Sequence, residues 1–322
     1  MGHLLKQIIT LDNLSDAWEE VVANDSGPGV DGVSLEDFAR DWEANLIELR
    51  EAVRGNRYRP APLLRFSVPK RDGSPRLLTN PTVRDKILQR AVLRVLDDLY
   101  EETFLDCSFA YRPRRSVQAA VERVVQAHLF GRQWVLDLDI DDFFHSLDHR
   151  LLLRFLGERV VDEGVLTLIK AWLKMGRPDP GLAVGTPLGM VVSPLLSNIY
   201  LHYLDLVMMG GLPAFGNKDR LPELTPREDW VYVRYADDFV VLCRSQAQAE
   251  LAQRQVAETL AALRLALEPA KTRITTFSEG FEYLGCYFKD DYFCFQHGGA
   301  QVKVLTDADW GLFYRHGPEG YR

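Results

Sequence analysis

Apolar residues recur at helical spacing from Val83 to Tyr100, where Ile87, Leu88, Ala91, Val92, Val95, Leu96 and Leu99 form one stripe. Thr82, three residues ahead of Asp85, gives this helix a capping pair, with Asp in place of the usual Glu. Val117, Val121, Val124 and Val125 predict a second helix after Ser116, another starts at His149, and one more spans about 247–265. Between these stripes the period shortens. Leu64–Pro69, Trp134–Leu138, Trp230–Arg234, Phe239–Cys243, Ile274–Phe277 and Phe281–Phe288 are short runs rich in β-branched and aromatic residues, and they predict strands. Arg71-Asp72-Gly73-Ser74 is a hairpin signal after the first run. This order of elements predicts an α+β fold, an antiparallel sheet backed by helices. Residues 1–60 read as polar helices broken by the turn-rich Gly27-Pro28-Gly29-Val30-Asp31-Gly32. Residues 209–228 read as an inserted Gly- and Pro-rich loop, and no period is visible from Asp290 onward.

Composition adds exclusions. The 322 residues are 47% hydrophobic and 26% charged, an ordinary globular balance with room for a sizeable core. No run of about 18 apolar residues predicts a membrane span, and the polar start shows no signal peptide, so a cytoplasmic protein without membrane contact is expected. Cys107, Cys243, Cys286 and Cys294 have no close paired spacing and read as reduced, buried thiols. The seven histidines form no cluster with them, which argues against zinc. A net charge of −8 argues against a nucleic-acid partner, yet Lys70, Arg71 and Arg76, and again Arg112, Arg114 and Arg115, form local basic groups.

The strongest chemistry is acidic. Tyr235-Ala236-Asp237-Asp238 falls where two predicted strands reverse, and Asp137, Asp139, Asp141 and Asp142 gather at the end of Trp134–Leu138. Paired Asp in a turn is ordinary turn chemistry by itself. Carboxylates at two strand ends are also what a two-metal phosphoryl-transfer centre needs, with cations about 4 Å apart clamping the attacking and leaving oxygens.

Several motifs in fixed order decide between these readings. They are Pro69-Lys70-Arg71-Asp72-Gly73-Ser74-Pro75-Arg76, Ser108-Phe109-Ala110-Tyr111-Arg112-Pro113, Asp139-Ile140-Asp141-Asp142-Phe143-Phe144, Gly185-Thr186-Pro187-Leu188-Gly189 with Ser193-Pro194-Leu195-Leu196-Ser197-Asn198, Tyr235–Asp238, Pro269-Ala270-Lys271-Thr272 and Tyr283-Leu284-Gly285. In this order the chain resembles the reverse transcriptases, and among them the prokaryotic group II intron-like branch. The resemblance implies right-hand polymerase fingers and palm. It implies Asp139 and Asp237 as Mg²⁺ ligands, with the Ile140 carbonyl adding a ligand, Asp238 supporting the site and Mn²⁺ as a possible substitute metal. Lys70 and Arg76 would grip the triphosphate of the incoming dNTP. Phe144 would exclude ribonucleotides, Gly189 would approach the templating base and nucleotide, and Lys271 would assist the leaving pyrophosphate. Arg112 and Arg114 would track the phosphates of an RNA template or its primer. For these arginines a solvated loop is an equal alternative, as is a helix-terminal role for Lys271. Asp137, Asp141 and Asp142 read as solvated strand-end acids.

Two departures qualify the resemblance. Leu188 stands where intron-type enzymes usually carry Gln, and Leu cannot make that polar contact. Little chain follows Tyr283-Leu284-Gly285, so the helical thumb is expected to be absent or truncated, with a protein partner supplying thumb or basic surface. The expected division is an N-terminal extension and fingers over 1–130, a palm over 131–290 with a fingers insertion at 149–185, and a connector or start of thumb over 291–322. Short intron-like enzymes beside CRISPR arrays, which acquire spacers from RNA, share this architecture. The alternatives are a catalytically weak palm module that binds nucleic acid or protein, and another palm nucleotidyltransferase such as a cyclase.

Overall fold

The computed structural model describes residues 2–69, 75–175, 183–211, 229–297, 300–303 and 307–316. Its elements run α1 (His3–Ile8), α2 (Leu11–Ala23), α3 (Leu35–Ala39), α4 (Trp42–Arg54), β1 (Leu64–Pro69), β2 (Pro75–Asn80), α5 (Val83–Glu101), α6 (Val117–Leu129), β3 (Trp134–Leu138), α7 (Phe143–Ser146), α8 (His149–Gly157), α9 (Glu163–Met175) and α10 (Ser193–Met208). The chain continues through β4 (Trp230–Tyr235), β5 (Asp238–Cys243), α11 (Gln246–Ala262), β6 (Arg273–Thr276), β7 (Phe281–Tyr283), β8 (Cys286–Lys289), β9 (Tyr292–His297), β10 (Ala300–Lys303) and α12 (Asp307–His316). The Arg71–Ser74 turn lies outside the described residues, as does most of the 209–228 stretch. No helix among the described residues is long and apolar enough to cross a membrane. The four cysteines are buried free thiols. The chain divides into two compact units.

The first unit comprises Met1–Thr103 and Phe144–Tyr200. Its centre is α5, whose predicted stripe is the buried one: Ile87, Leu88, Ala91 and Val92 are fully inaccessible. The Thr82 hydroxyl caps α5 by accepting from the Asp85 amide at 3.2 Å. Asp85 returns a bond to the cap residue through the Thr82 hydroxyl. Its carboxylate accepts from the Tyr58 hydroxyl (2.5 Å), the Ala61 amide (3.0 Å) and the Thr82 hydroxyl (2.9 Å), and Trp172 of α9 donates to Tyr58 at 3.0 Å. Burial pushes the Asp85 carboxyl up from its ordinary range, against these donors. β1 and β2 form an antiparallel hairpin in register from Leu64↔Asn80 to Pro69↔Pro75.

The second unit comprises Phe104–Phe143 and Leu201–Arg322. Its sheet has the antiparallel order β4-β5-β3-β6. Because side chains alternate across a strand, Val135, Val240, Leu242 and Val233 join Val117, Val121 and Val124 of α6 in one core. Leu136, Val241 and Tyr232 face the other way, the side covered by α11 and the end of α10. A second sheet, β10-β9-β8-β7, follows. The extended segment predicted over Phe281–Phe288 is broken into a hairpin by Leu284 and Gly285, both at positive φ (50° and 74°). Phe281 stacks on Phe288 at 4.9 Å, and Phe313 of α12 meets Phe295 edge-on at 5.1 Å. The terminal elements therefore close a core of aromatic rings, although they show no period in the sequence.

Candidate active site

Strand pairing brings the acidic motifs of the second unit together. The ladder between β3 and β5 ends at Leu138↔Phe239, so one register step further sets Asp139 beside Asp238, next to the hairpin tip. β4 and β5 close at Tyr235↔Asp238, which leaves only Ala236 and Asp237 to turn the chain. Ala236 does this at φ +58°, a conformation uncommon for a residue with a Cβ. The Asp139 segment is pinned from outside the sheet: the Glu268 amide donates to the Asp139 carbonyl and the Asp141 amide to the Ala266 carbonyl, both at 2.9 Å. Asp139, Asp237 and Asp238 are all half-buried.

Lys271 completes this cluster. Its ammonium donates to the Asp139 carboxylate. That bond, ahead of the attraction of Asp139, Glu268 and Asp237, raises the lysine above its ordinary 10.5. Asp137 is not a solvated strand-end acid. It is half-buried, burial raises its carboxyl, and Arg273 of the neighbouring strand donates to it at 3.2 Å. Asp141 and Asp142 are exposed. Ile140 is buried and bridges to Leu267.

The donor set fits a hard divalent cation. Asp139 and Asp237 offer oxygen ligands at adjacent strand ends. Among the described residues no three His, Cys, Asp or Glu side chains converge into an all-protein cage. Two carboxylates completed by water and substrate phosphates are the usual way Mg²⁺ is held.

The first unit carries Lys70, Arg76, Phe144 and Gly189. Thr79 of β2 donates twice to the Leu188 carbonyl, from its amide and from its hydroxyl, each at 2.7 Å. Gly189, at φ +109°, lies so close to that strand that a Cβ would stand 1.9 Å from the Thr79 carbonyl oxygen. Ser193 donates to the Pro187 carbonyl at 2.9 Å, and Gln89 accepts from the Val191 amide at 2.9 Å, so the turn from Pro187 to Ser193 is held on several sides. What Leu188 contributes to this turn is its backbone carbonyl. Phe144 is half-buried and its carbonyl accepts from the Thr186 amide at 2.7 Å. The buried His149 ring donates to the Gly185 carbonyl at 2.6 Å, which ties the same two segments. Lys70 and the side chain of Arg76 lie outside the described residues.

The two arginines expected at nucleic acid differ in setting. Arg112 is buried. Its guanidinium donates to the carbonyls of Leu105 (2.6 Å), Ser108 (2.8 Å) and Phe104 (3.2 Å) and lies 5.4 Å above the Phe104 ring. It braces its own loop. Arg114 is exposed, at φ +60°.

One pair was not read from the sequence. Arg234 of β4 and Asp205 of α10 are both fully buried, and the guanidinium grips the carboxylate through Nε (2.7 Å) and Nη2 (2.5 Å). The available signal was two opposite charges, each inside an otherwise apolar run, Leu204-Asp205-Leu206 and Val231–Ala236.

A fingers-and-palm polymerase is the class that this sheet and its paired acids define. The family model described as reverse transcriptase (RNA-dependent DNA polymerase) matches residues 68–288, and the chain belongs to that family. Protein YkfC of Escherichia coli K12 is 35% identical over 286 residues, which cover 80% of this chain and 74% of YkfC. The group II intron-encoded protein LtrA of Lactococcus lactis subsp. cremoris is 27% identical across 88% of this chain, which spans only 56% of LtrA. Among solved structures, apo telomerase from Candida tropicalis, truncated from its C-terminal domain, superposes with a TM-score of 0.51 at 12% identity, over 77% of this chain and 59% of that one. Telomerase from Candida albicans gives 0.50 at 13% identity, over 85% and 51%. These likenesses, at low identity, show the fold.

Proposed function

We propose that the chain extends a primer 3′-hydroxyl with dNTPs on an RNA template, with Asp139 and Asp237 holding two divalent cations, Mg²⁺ or Mn²⁺. The observation that carries this reading is the meeting of Asp139, Asp237 and Lys271 at the end of the sheet. The cations, when bound, supply charge neutralisation for the attacking and leaving oxygens. The residues hold and orient. Asp139 and Asp237 fix the cations through oxygen, with the Ile140 carbonyl as a further donor, and Asp238 supports the turn. Lys271 sets a positive charge for the departing pyrophosphate. Lys70 and Arg76 grip the triphosphate, Phe144 rejects the ribose 2′-hydroxyl by steric exclusion, and Gly189 allows close approach of nucleotide to backbone.

With a net charge of −8, grip on the template rests on local basic residues such as Arg114, so binding is expected to weaken steeply with salt. A protein partner supplying basic surface would relieve that dependence. The division into fingers over 1–130, palm over 131–290 and a connector beyond is part of the same reading. A narrower role, acquisition of CRISPR spacers from RNA, belongs to the same reading by analogy with intron-like relatives, and no motif residue carries it.

The test is primer extension on poly(rA)/oligo(dT) with Mg²⁺ at low and moderate salt, beside Asp237→Ala. Template-dependent synthesis that disappears in the variant is the expected result. Synthesis that persists in Asp237→Ala would overturn the ligand assignment. A folded chain inactive on RNA and DNA templates would instead favour a binding module, and nucleotide transfer without a template would favour a cyclase-like enzyme.

A further inference from the structure

From inside the protein, the side chain of Arg234 holds the hairpin that carries Asp237. Arg234 precedes it, and the third arm of its guanidinium, Nη1, donates to the carbonyl of Ala236 at 2.9 Å. Ala236 is the residue at positive φ immediately before Asp237. The other two arms are fixed by Asp205, which also accepts from the Tyr232 hydroxyl at 3.2 Å. The backbone of Arg234 is fixed as well: its amide donates to the Cys107 carbonyl (2.8 Å) and its carbonyl accepts from the Phe109 amide (2.9 Å). An arginine anchored at its backbone and through Nε and Nη2 presents Nη1 to the turn in a fixed direction.

Burying two full charges is a poor way to gain stability. Apolar side chains of similar volume usually do as well, because taking both charges out of water offsets most of their attraction. What apolar side chains cannot do is hold a carbonyl in one place. The guanidinium fork can, because its donors have a fixed geometry.

We infer that Arg234, oriented by Asp205 and Tyr232, is a positioning residue that fixes the Ala236 carbonyl and thereby the direction of the Asp237 carboxylate. The inference rests on the proposed role of Asp237 as a metal ligand. Outer groups that orient ligands typically govern metal affinity or turnover by about 10–100-fold, and an effect of that size is expected here. It should appear in kcat and in cation affinity, and leave KM for the primer–template unchanged.

The experiment compares the parent, Arg234→Lys, the double variant Arg234→Met/Asp205→Leu, and Asp237→Ala. Thermal unfolding, single-nucleotide incorporation and Mn²⁺ binding by electron paramagnetic resonance are measured for each. The double variant removes both charges together and is expected to keep its thermal midpoint within about 5 °C of the parent. It should nonetheless lose at least about tenfold in kcat and in Mn²⁺ affinity. Arg234→Lys keeps the charge opposite Asp205 and loses the fork, and should show the same loss. It provides the readout if the double variant does not fold. Parent-like kcat and Mn²⁺ affinity in either folded variant would overturn the inference and leave the pair as a brace of the fold. Parent-like behaviour in Asp237→Ala would instead overturn the underlying ligand assignment.

Discussion

Lys271 lies on Asp139: the ammonium from the segment between α11 and β6 donates to the carboxylate at the end of β3. The lysine side chain is 67% exposed and the aspartate 29%. Such a pair contributes about 0–1 kcal/mol to stability. The folded lysine is raised above 10.5, so its contribution is complete below that pH and fades only as pH climbs through the higher folded value. The contact is therefore intact in any neutral assay, and under the proposed role of Asp139 it would compete with the cation. Lys271→Met is expected to shift the thermal midpoint by less than about 2 °C. It should tighten Mn²⁺ binding by roughly threefold or more as the competing charge is removed, while slowing nucleotide incorporation. Calorimetric Mn²⁺ titration beside single-turnover kinetics checks both, and unchanged Mn²⁺ affinity would mean the ammonium does not hold Asp139 in solution.

Gly189 meets two demands at once, a φ of +109° and a backbone approach to Thr79 that leaves no space for a Cβ. Gly189→Ala must abandon one or both. Positive φ alone costs an ordinary residue about 1–3 kcal/mol, and displacing the turn also strains the two bonds that Thr79 makes to the Leu188 carbonyl. The expected outcome is a loss of about 2 kcal/mol in denaturant unfolding, with a larger proportional loss in dNTP incorporation. A variant with parent-like KM for dNTP would remove Gly189 from the nucleotide site.

The fold was legible where the hydrophobic period is strong. β3 appears with the boundaries of its apolar run, and α5 extends only one residue beyond the predicted end, Glu101 after Tyr100. The acidic tip is likewise local: two apolar runs separated by Ala236-Asp237 leave the chain little choice. The partners around that tip come from sequence-distant segments, so the family resemblance alone places Lys271 at the site and Asp205 is not read from the sequence. Lys271 reaches Asp139 only after β6 has paired with β3. Asp205 meets Arg234 only after the end of α10 has packed on the sheet. The C-terminal hairpins were missed for another reason. β7 and β8 are three and four residues long and turn on Leu284, whose left-handed conformation its side chain does not advertise. Arg112 carries the charge of a phosphate contact, and only its placement reveals three carbonyls waiting for it.

Asp97 on α5 gives a pH-dependent handle on the first unit. Burial raises its carboxyl to about 6, with Asp98, Glu101 and Glu20 adding to the rise and Arg90 opposing it. A carboxyl raised in the folded state costs stability when ionised. That cost is complete above about pH 6 and absent below the ordinary value of 3.8. Asp97→Asn is therefore expected to stabilise the protein at pH 8, by about 1 kcal/mol after allowance for solvent screening, and the gain should vanish as pH falls through the window from 6 to 4. Urea unfolding at pH 8, 6 and 4 tests this, and a gain that grew toward low pH would reverse the sign assigned here.

Arg112 and Arg114 stand two residues apart and are expected to fail differently when removed. Arg112→Ala removes a donor from three carbonyls, two of them in buried bonds (Ser108, Phe104) and one in a part-buried bond (Leu105). Each unsatisfied buried group costs about 1–3 kcal/mol, and partial access of water to the vacated space lowers the sum. A net loss of roughly 2–4 kcal/mol follows, visible as a fall in thermal midpoint, with the salt dependence of RNA binding unchanged in slope. Arg114 is exposed and sits at a left-handed φ of +60°. Arg114→Ala should leave the midpoint within about 2 °C and reduce the slope of log affinity against log salt by about 1, the signature of one lost phosphate contact. Fluorescence polarisation of a labelled RNA–DNA primer–template from 50 to about 200 mM salt, beside calorimetry, separates the two. If Arg112→Ala lowered the salt slope and spared the midpoint, the guanidinium would be reaching phosphate rather than its own loop, and the assignment of roles between these two arginines would be reversed.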